Sequence, residues 1–397
     1  MAESDSRRIG IADRRVLIAK DRLEEDLSSV LPKLTAEGRY DWRDNDRGTK
    51  LATGSFVAGE REATSLRLGL VVPIYDFGRS SWHREADRFQ IDAARHDAGQ
   101  ARQQVAFAVS QAYFRLLEAQ KVGGVVEESI RILERQLGVA RDFLKQGLVA
   151  RSDVLTAEVQ MAERRQDLVR SRNNVDLARA ALNRILGLDV ESPTEVVDVL
   201  EACPWSGSFG PLLASARERR PDVAALRARL QAIQADYRSV SKGDLPSLFA
   251  TAGYNRSSDD TLLNRDWSDA ALVFQVPLFD GFGTRRRKAR MGKEAEEAKD
   301  LLDDRLDDVA LEVKQACLLI SETVEQVPVA EKGVELGTEN LRVIRDQYGE
   351  GLVTSADVLA EEDRLSRART SYFRALYDSH VAYARLVNVI AGPPAGR

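Results

Sequence analysis

Cysteine is nearly absent. The 397-residue chain has two, Cys203 and Cys317, far apart and outside any CxxC pair. Such spacing supports neither a disulfide framework nor a zinc site, so each is expected to be an isolated, partly buried thiol. Aromatics make up only 6% of the chain and prolines number 11, against 30% charged residues. That balance disfavours a compact α/β enzyme and favours long solvated helices. The net charge of −5 and the lack of any Lys/Arg block exclude the basic footprint of a nucleic-acid binder. No apolar run reaches 18 residues, which excludes a membrane-spanning helix. The first residues, MAESDSRRIGIADRR, lack a signal-peptide core and a lipobox cysteine; taken literally, they point to the cytoplasm.

What the chain does contain is an internal duplication. VPIYD at residues 72–76 returns as VPLFD 204 residues later, and GLVARSDVL at 147–155 returns as GLVTSADVL at the same offset. ALNRIL ending at Leu186 and RLVNVI ending at Ile390 share that offset too. LPKLTAEGRY from Leu31 and LPSLFATAGY from Leu245 are 214 apart, so the ten extra residues fall in the first copy's loop. Each copy reads as helix, LP, strand, polar loop, strand ending in VP, very long helix, glycine turn and return helix. The first repeat, residues 1–200, has strands near 32–42 and 65–76, a helix over 78–146 and a return over 152–187. The second, residues 201–397, has a helix over 209–241 and strands near 246–255 and 269–280. Its long helix covers 283–347 and its return 354–391.

The strands alternate with period two. Leu66, Leu68, Leu70, Val72 and Ile74 fall on one face, Arg67, Gly69, Val71, Pro73 and Tyr75 on the other. Leu272, Phe274, Val276 and Leu278 repeat the phase, and Leu34, Ala36, Gly38, Tyr40 and Trp42 follow it in the first strand. A soluble sheet with one face on a core would also alternate. The polar loops at 43–64 and 255–268, and the aromatics gathered at strand ends, favour a membrane β-structure with about ten residues per span. Four strands cannot close a barrel, and lipid tolerates no open edge, so strands in a membrane must be pooled between chains.

The helices carry a sustained 4–3 pattern. It runs from Val105 through Leu116, Gly123, Ile130 and Leu137 to Leu144, and again from Val309 through Ile320, Val327 and Leu341 to Tyr348. A seven-residue period implies left-handed coiled coils. Each long helix would extend roughly 100 Å at 1.5 Å per residue. Gly123-Gly124 in one and Pro328 in the other mark expected bends.

These residues resemble the TolC family of outer-membrane efflux proteins, through VPIYDFG, VPLFDGFG, the two GLV-x3-DVL turns, ARAALNRILG and the two-copy order, over nearly the whole chain. The resemblance implies a mainly α fold with membrane β-structure: a long coiled-coil α-helical barrel, and four strands per chain pooled by a homotrimer into a twelve-stranded β-barrel. It implies a passive export channel of a tripartite efflux pump or type I secretion system, in the outer membrane of a Gram-negative bacterium and extending into the periplasm. Its partners would be outer-membrane lipid, a periplasmic adaptor and an inner-membrane transporter. The internal alignment leaves the start of the first copy missing, so a signal peptide and a leading helix are expected upstream of a trimmed or mis-started chain. The rival from another class is a soluble coiled-coil scaffold, which the amphipathic strand pairs at matched offsets oppose.

No catalytic, cofactor or metal constellation is expected. His83, His96 and His380 are scattered on helices, and GFG at 281–283 lacks the Lys-Ser/Thr of a phosphate loop. Gly147 and Gly351 read as C-cap glycines. Around them Leu148, Val149, Leu352 and Val353 form the hairpin tips that an adaptor would contact. Arg151, Asp153, Tyr348 and Asp357 are the candidates for polar links at the channel entrance, with the Tyr348 hydroxyl reaching Asp153. The family's second entrance acid falls here on Ala360, with Glu361 beside it. Ser152 and Ser355 are expected to cap the return helices, so Asp153 and Asp357 are open to a helix-start role or a pore-lining one.

Overall fold

The computed structural model describes residues 7–393 except 46, 52, 148, 200 and 202–204, and leaves out the side chains of 47, 49–51 and 55–58. Cys203 lies outside the described residues; Cys317 is half-buried, which pushes its thiol up. In chain order the elements are α1 (Arg7–Ser28), β1 (Lys33–Trp42), β2 (Arg47–Leu51), β3 (Gly54–Gly59), β4 (Glu62–Tyr75), α2 (Arg79–Lys145) and α3 (Arg151–Leu186). There follow α4 (Phe209–Arg219), α5 (Pro221–Ser241), β5 (Ser247–Ser257), β6 (Asp266–Gln275), α6 (Gly283–Gly349) and α7 (Ser355–Val389). They fall into two compact units. One holds the chain up to Arg14, His96–Ala224 and Asp303 onward; the other holds Arg15–Arg95 and Ala225–Leu302.

The second unit contains an antiparallel sheet in the order β1-β4-β5-β6. Its register carries the period-two pattern across all four strands. Leu70 faces Leu34 on one side and Ala252 on the other, and Ala252 faces Ala270. One step along, Val72 faces Ala250 and Ala250 faces Leu272. The opposite face aligns Glu37 with Arg67 and Asn255, then Trp267. The apolar face is open: Leu34 is 75% exposed, Leu272 69% and Phe274 65%. Among the described residues, β1 and β6 each have one edge with no strand beside it.

Both strand-to-helix junctions are capped by aspartate. Asp76 accepts from the Gly78 and Ser80 amides at 3.1 and 2.7 Å, and Asp280 accepts from the Thr284 amide at 2.6 Å. These bonds satisfy amides that a helix start leaves orphaned. The chain turns there through left-handed backbone, at Phe77 (φ 55°) and Gly78, and at Gly281 and Phe282 (φ 65°).

In the first unit the seven-residue seam is what is buried. Val105, Leu116, Ile130, Leu133, Leu137 and Ala140 of α2 are each no more than 9% exposed, as are Val309, Val313, Ala316, Ile320, Val327, Leu341 and Tyr348 of α6. Each fully buried Leu or Ile on such a seam contributes about 1.5–3 kcal/mol.

Four details depart from the sequence expectations. The segment 209–241 is two helices, because Pro221 forces Arg220 into extended backbone (ψ 124°) and starts a new helix at its own N1 position. β6 ends at Gln275 rather than near 280. Pro277 cannot donate to a ladder, whereas Pro73 is tolerated where the β4–β5 register shifts. The loop after β1 holds a hairpin, β2–β3, that no alternation announced. Finally, Gly123 is a contact point: a Cβ there would meet Ser171 Oγ at 2.9 Å, so the missing side chain lets α3 approach. Pro328 lies inside α6, which continues through it.

Candidate functional site

Two helical hairpins of the first unit carry the sequence's candidate residues. In the first, α2 stops after Lys145, Gly147 turns at φ 73° and α3 returns from Arg151. In the second, α6 stops at Gly349, Gly351 turns at φ 76° and α7 returns from Ser355. Both glycines occupy left-handed backbone that a side chain would strain. The hairpins are held to each other by shared apolar clusters. Leu359 of α7 packs with Ile130, Leu137, Val154 and Met161, and Phe143 of α2 joins Leu341, Tyr348, Val358 and Leu365. The Phe143 and Tyr348 rings lie 5.8 Å apart.

The tip side chains divide sharply. Leu352 is 70% exposed, and Gly147, Gly351 and Arg151 are also exposed. Val149 is half-buried and Val353 packs into the second cluster. Leu148 lies outside the described residues.

Tyr348 is buried at 7% exposure, and its hydroxyl meets the buried hydroxyl of Ser355. The Asp153 carboxylate lies 3.3 Å from Ser152 Oγ. Burial raises the Tyr348 hydroxyl pKa, the hydrogen bond with Ser355 lowers it, and the charge of nearby Asp153 raises it again.

Capping also differs from expectation. Thr354, not Ser355, caps α7: it accepts from the Asp357 amide, while Asp357 accepts from the Thr354 amide at 2.8 Å. Asp357 is thus the reciprocal half of a capping box, and its hydrogen bonds from Thr354 lower its pKa. At α3 the cap position is Ala150, which has no side-chain oxygen, so Ser152 caps nothing. Asp153 remains in the first turn, where the helix dipole favours it.

Glu361 is buried, accepting from Asn340 Nδ2 at 2.6 Å and pairing with Arg364. Beside it Glu362, 4% exposed, pairs with Arg345 at 3.2 Å. Its pKa is raised because burial outweighs Arg345. Arg164 of α3 bonds Asp363 of α7 and links the hairpins again. The burial of Glu361 and Glu362 is not among the sequence expectations. The i+1 run Glu361-Glu362-Asp363 was the available signal, since three consecutive carboxylates cannot share one solvated stripe.

A second ionic group in this unit fixes the α4–α5 break. Arg220 grips Asp222 at 2.8 Å and Glu312 at 2.5 Å, while Arg305 holds Asp222 at 2.7 Å and Glu312 at 2.9 Å. Burial would raise the Asp222 carboxyl, but the two guanidinium groups outweigh it and hold it at about 2. Of the histidines, His380 stacks on Phe114 at 4.8 Å and bonds the Glu201 carbonyl, a packing role. Among the described residues, Asp26, His83 and Asp87 of the other unit are the group that could hold a metal ion.

Comparison with known proteins gives these features a context. The family description "Outer membrane efflux protein" matches residues 15–188 and 212–392. Protein CyaE of Bordetella pertussis is 26% identical over 244 residues, 58% of this chain and 50% of that protein, so the chain spans about half of that relative's length. Outer membrane protein TolC of Vibrio cholerae is 25% identical over 98% of this chain and 88% of its own. Among solved structures, the outer membrane protein VceC of Vibrio cholerae superposes with a TM-score of 0.83 over 99% of this chain and 94% of its own, at 18% identity.

Proposed function

The chain belongs to the outer membrane efflux protein family, and from that premise we propose that it is one subunit of a passive export channel through the outer membrane. The observation that carries this reading is the sheet. A continuous apolar face runs from Leu34 through Leu70 and Ala252 to Ala270, half-buried along its middle strands and exposed on its outer ones, between two edges with no further strand among the described residues. Lipid is the solvent such a face suits, and lipid forbids open edges, so copies must join β1 to β6. Three internally duplicated chains would give twelve strands, within the range of membrane barrels. The soluble scaffold does not explain that face.

The helical hairpins would form a tunnel continuing into the periplasm, with Gly147, Val149, Gly351, Leu352 and Val353 offered to a periplasmic adaptor and, beyond it, an inner-membrane transporter. An efflux pump and a type I secretion system both use such a conduit. Arg151, Asp153, Tyr348 and Asp357 would line or close its entrance. Glu361, already tied to Asn340 and Arg364, would contribute less. The Tyr348 hydroxyl supports the gate reading, because a buried hydroxyl that meets another hydroxyl gains a stronger, charged acceptor if an Asp153 carboxylate closes on it. Purified protein added to planar lipid bilayers should produce discrete conductance steps without any energy source. Failure to insert or conduct at any protein concentration would overturn the channel reading.

A further inference from the structure

His83, half of whose side chain is exposed, sits where three helices converge. Asp26 comes from the last turns of α1, His83 and Asp87 from the first turns of α2, and Asp236 from α5. The spacing of His83 and Asp87, four residues apart, puts both on one helix face. One ligand atom from each of Asp26, His83 and Asp87 lies within 4.8 Å of the others. Around an ion bound at about 2.0–2.2 Å, donor atoms on different corners are separated by roughly 3–4.4 Å, so only a small inward movement is needed.

The two ring nitrogens have different neighbours. Nδ1 lies 2.8 Å from Asp236 Oδ1, and Nε2 lies 3.3 Å from Asp26 Oδ2. A carboxylate on Nδ1 orients the ring, so that once Nε2 gives up its proton its lone pair faces the other two carboxylates, the arrangement that orients metal-bound histidines. The Asp87 Oδ2 atom is shielded from solvent, and the group beside it is the Asp26 carboxylate, with which it shares a hydrogen bond. Three carboxylates crowd here around one imidazole, which is paired with Asp26 and Asp236. Access exists, because Asp26 and His83 line a cavity of about 880 Å³ that also reaches Ser29, Tyr75 and Ser239.

We propose that Asp26, His83 and Asp87 form a binding site for Zn²⁺ or a divalent ion of similar preference, with Asp236 positioning His83 as its orienting carboxylate. One imidazole and two carboxylates are ligands zinc accepts, and a fourth position is left for water. The ion would take the place of the proton that Asp87 and Asp26 share and neutralise the crowded carboxylates.

The test uses the full chain in detergent, stripped with EDTA and titrated with Zn²⁺ against a chromophoric chelator. One tight equivalent per chain is expected. His83→Gln should abolish it, and Asp87→Asn should weaken it at least roughly tenfold. Asp236→Asn should keep the stoichiometry but lose roughly 10–100-fold in affinity. His96→Gln should bind as the unaltered chain does. Asp87→Asn relieves crowded charge, so its fold, checked by circular dichroism, should survive. Absence of a stoichiometric equivalent, or unaltered affinity in both His83→Gln and folded Asp87→Asn, would overturn the site. The titration reads binding and not conduction, so its outcome is independent of the channel reading.

Discussion

Tyr348 shows why single residues at the hairpin tips carry more than helix packing. Its ring joins an apolar cluster while its buried hydroxyl, met by the Ser355 hydroxyl, gains little within the single chain. Tyr348→Phe should therefore leave the thermal midpoint unchanged or raise it. If the hydroxyl gains a bond to Asp153 of a neighbouring hairpin in the closed channel, the double change Tyr348→Phe with Asp153→Ala should raise single-channel conductance. Loss of a partly exposed bond of about 0.5–1.5 kcal/mol in every subunit is enough to shift a closed–open balance. Unchanged conductance would place the gate elsewhere. Asp357 is a harder residue to assign. Asp357→Asn should reduce cation selectivity if it faces the lumen, and should only loosen the start of α7 if the capping box is its whole role. Asp222 gives a pH signature. Its folded pKa, about 2, lies below the ordinary 3.8, so its contribution is complete above the unfolded value and is lost as pH falls from about 4 towards 2. That contribution is on the order of 2 kcal/mol, and a denaturant titration of Asp222→Asn should show a shallower fall in stability over that window than the unaltered chain.

At the scale of elements, legibility followed periodicity. The seam from Val105 to Ala140 and from Val309 to Tyr348 could be seen in the sequence because a seven-residue period leaves little else for those residues to do. The alternation of β4 was equally plain, and the register shows its consequence across four strands. Elements set by single contacts were not legible. The β2–β3 hairpin lies in a polar loop with no alternating run, and Thr354 was passed over for Ser355 because both are plausible caps one position apart. Gly123 looked like a weak point in a helix, since a glycine that admits a neighbouring helix reads the same as one that loosens its own. The contacts of Glu361 and His83 have no local signature, because their partners, Asn340 for one and Asp236 for the other, are distant in sequence. The sheet supplies the element-level test. Leu70 lies mid-strand on the apolar face, where an arginine in a membrane barrel costs roughly 2–4 kcal/mol. Leu70→Arg should sharply reduce folded, membrane-inserted protein, measured by heat-modifiable mobility on gels, while Arg67→Leu on the opposite face should be tolerated. Equal tolerance would refute the assignment of that face to lipid.

For the whole molecule, one physical conflict organises everything else. A sheet of four strands presents a lipid-suited face and two unpaired edges, and no single chain can satisfy both. Pooling resolves it, and the same symmetry would bring the hairpin tips together at the entrance and repeat every tip contact in each subunit. The most direct measurement is the mass of the detergent-extracted protein by light scattering corrected for bound detergent. The pooled-barrel reading requires a particle of three 44.1 kDa chains. A monodisperse single chain whose circular dichroism still shows the strands would contradict it.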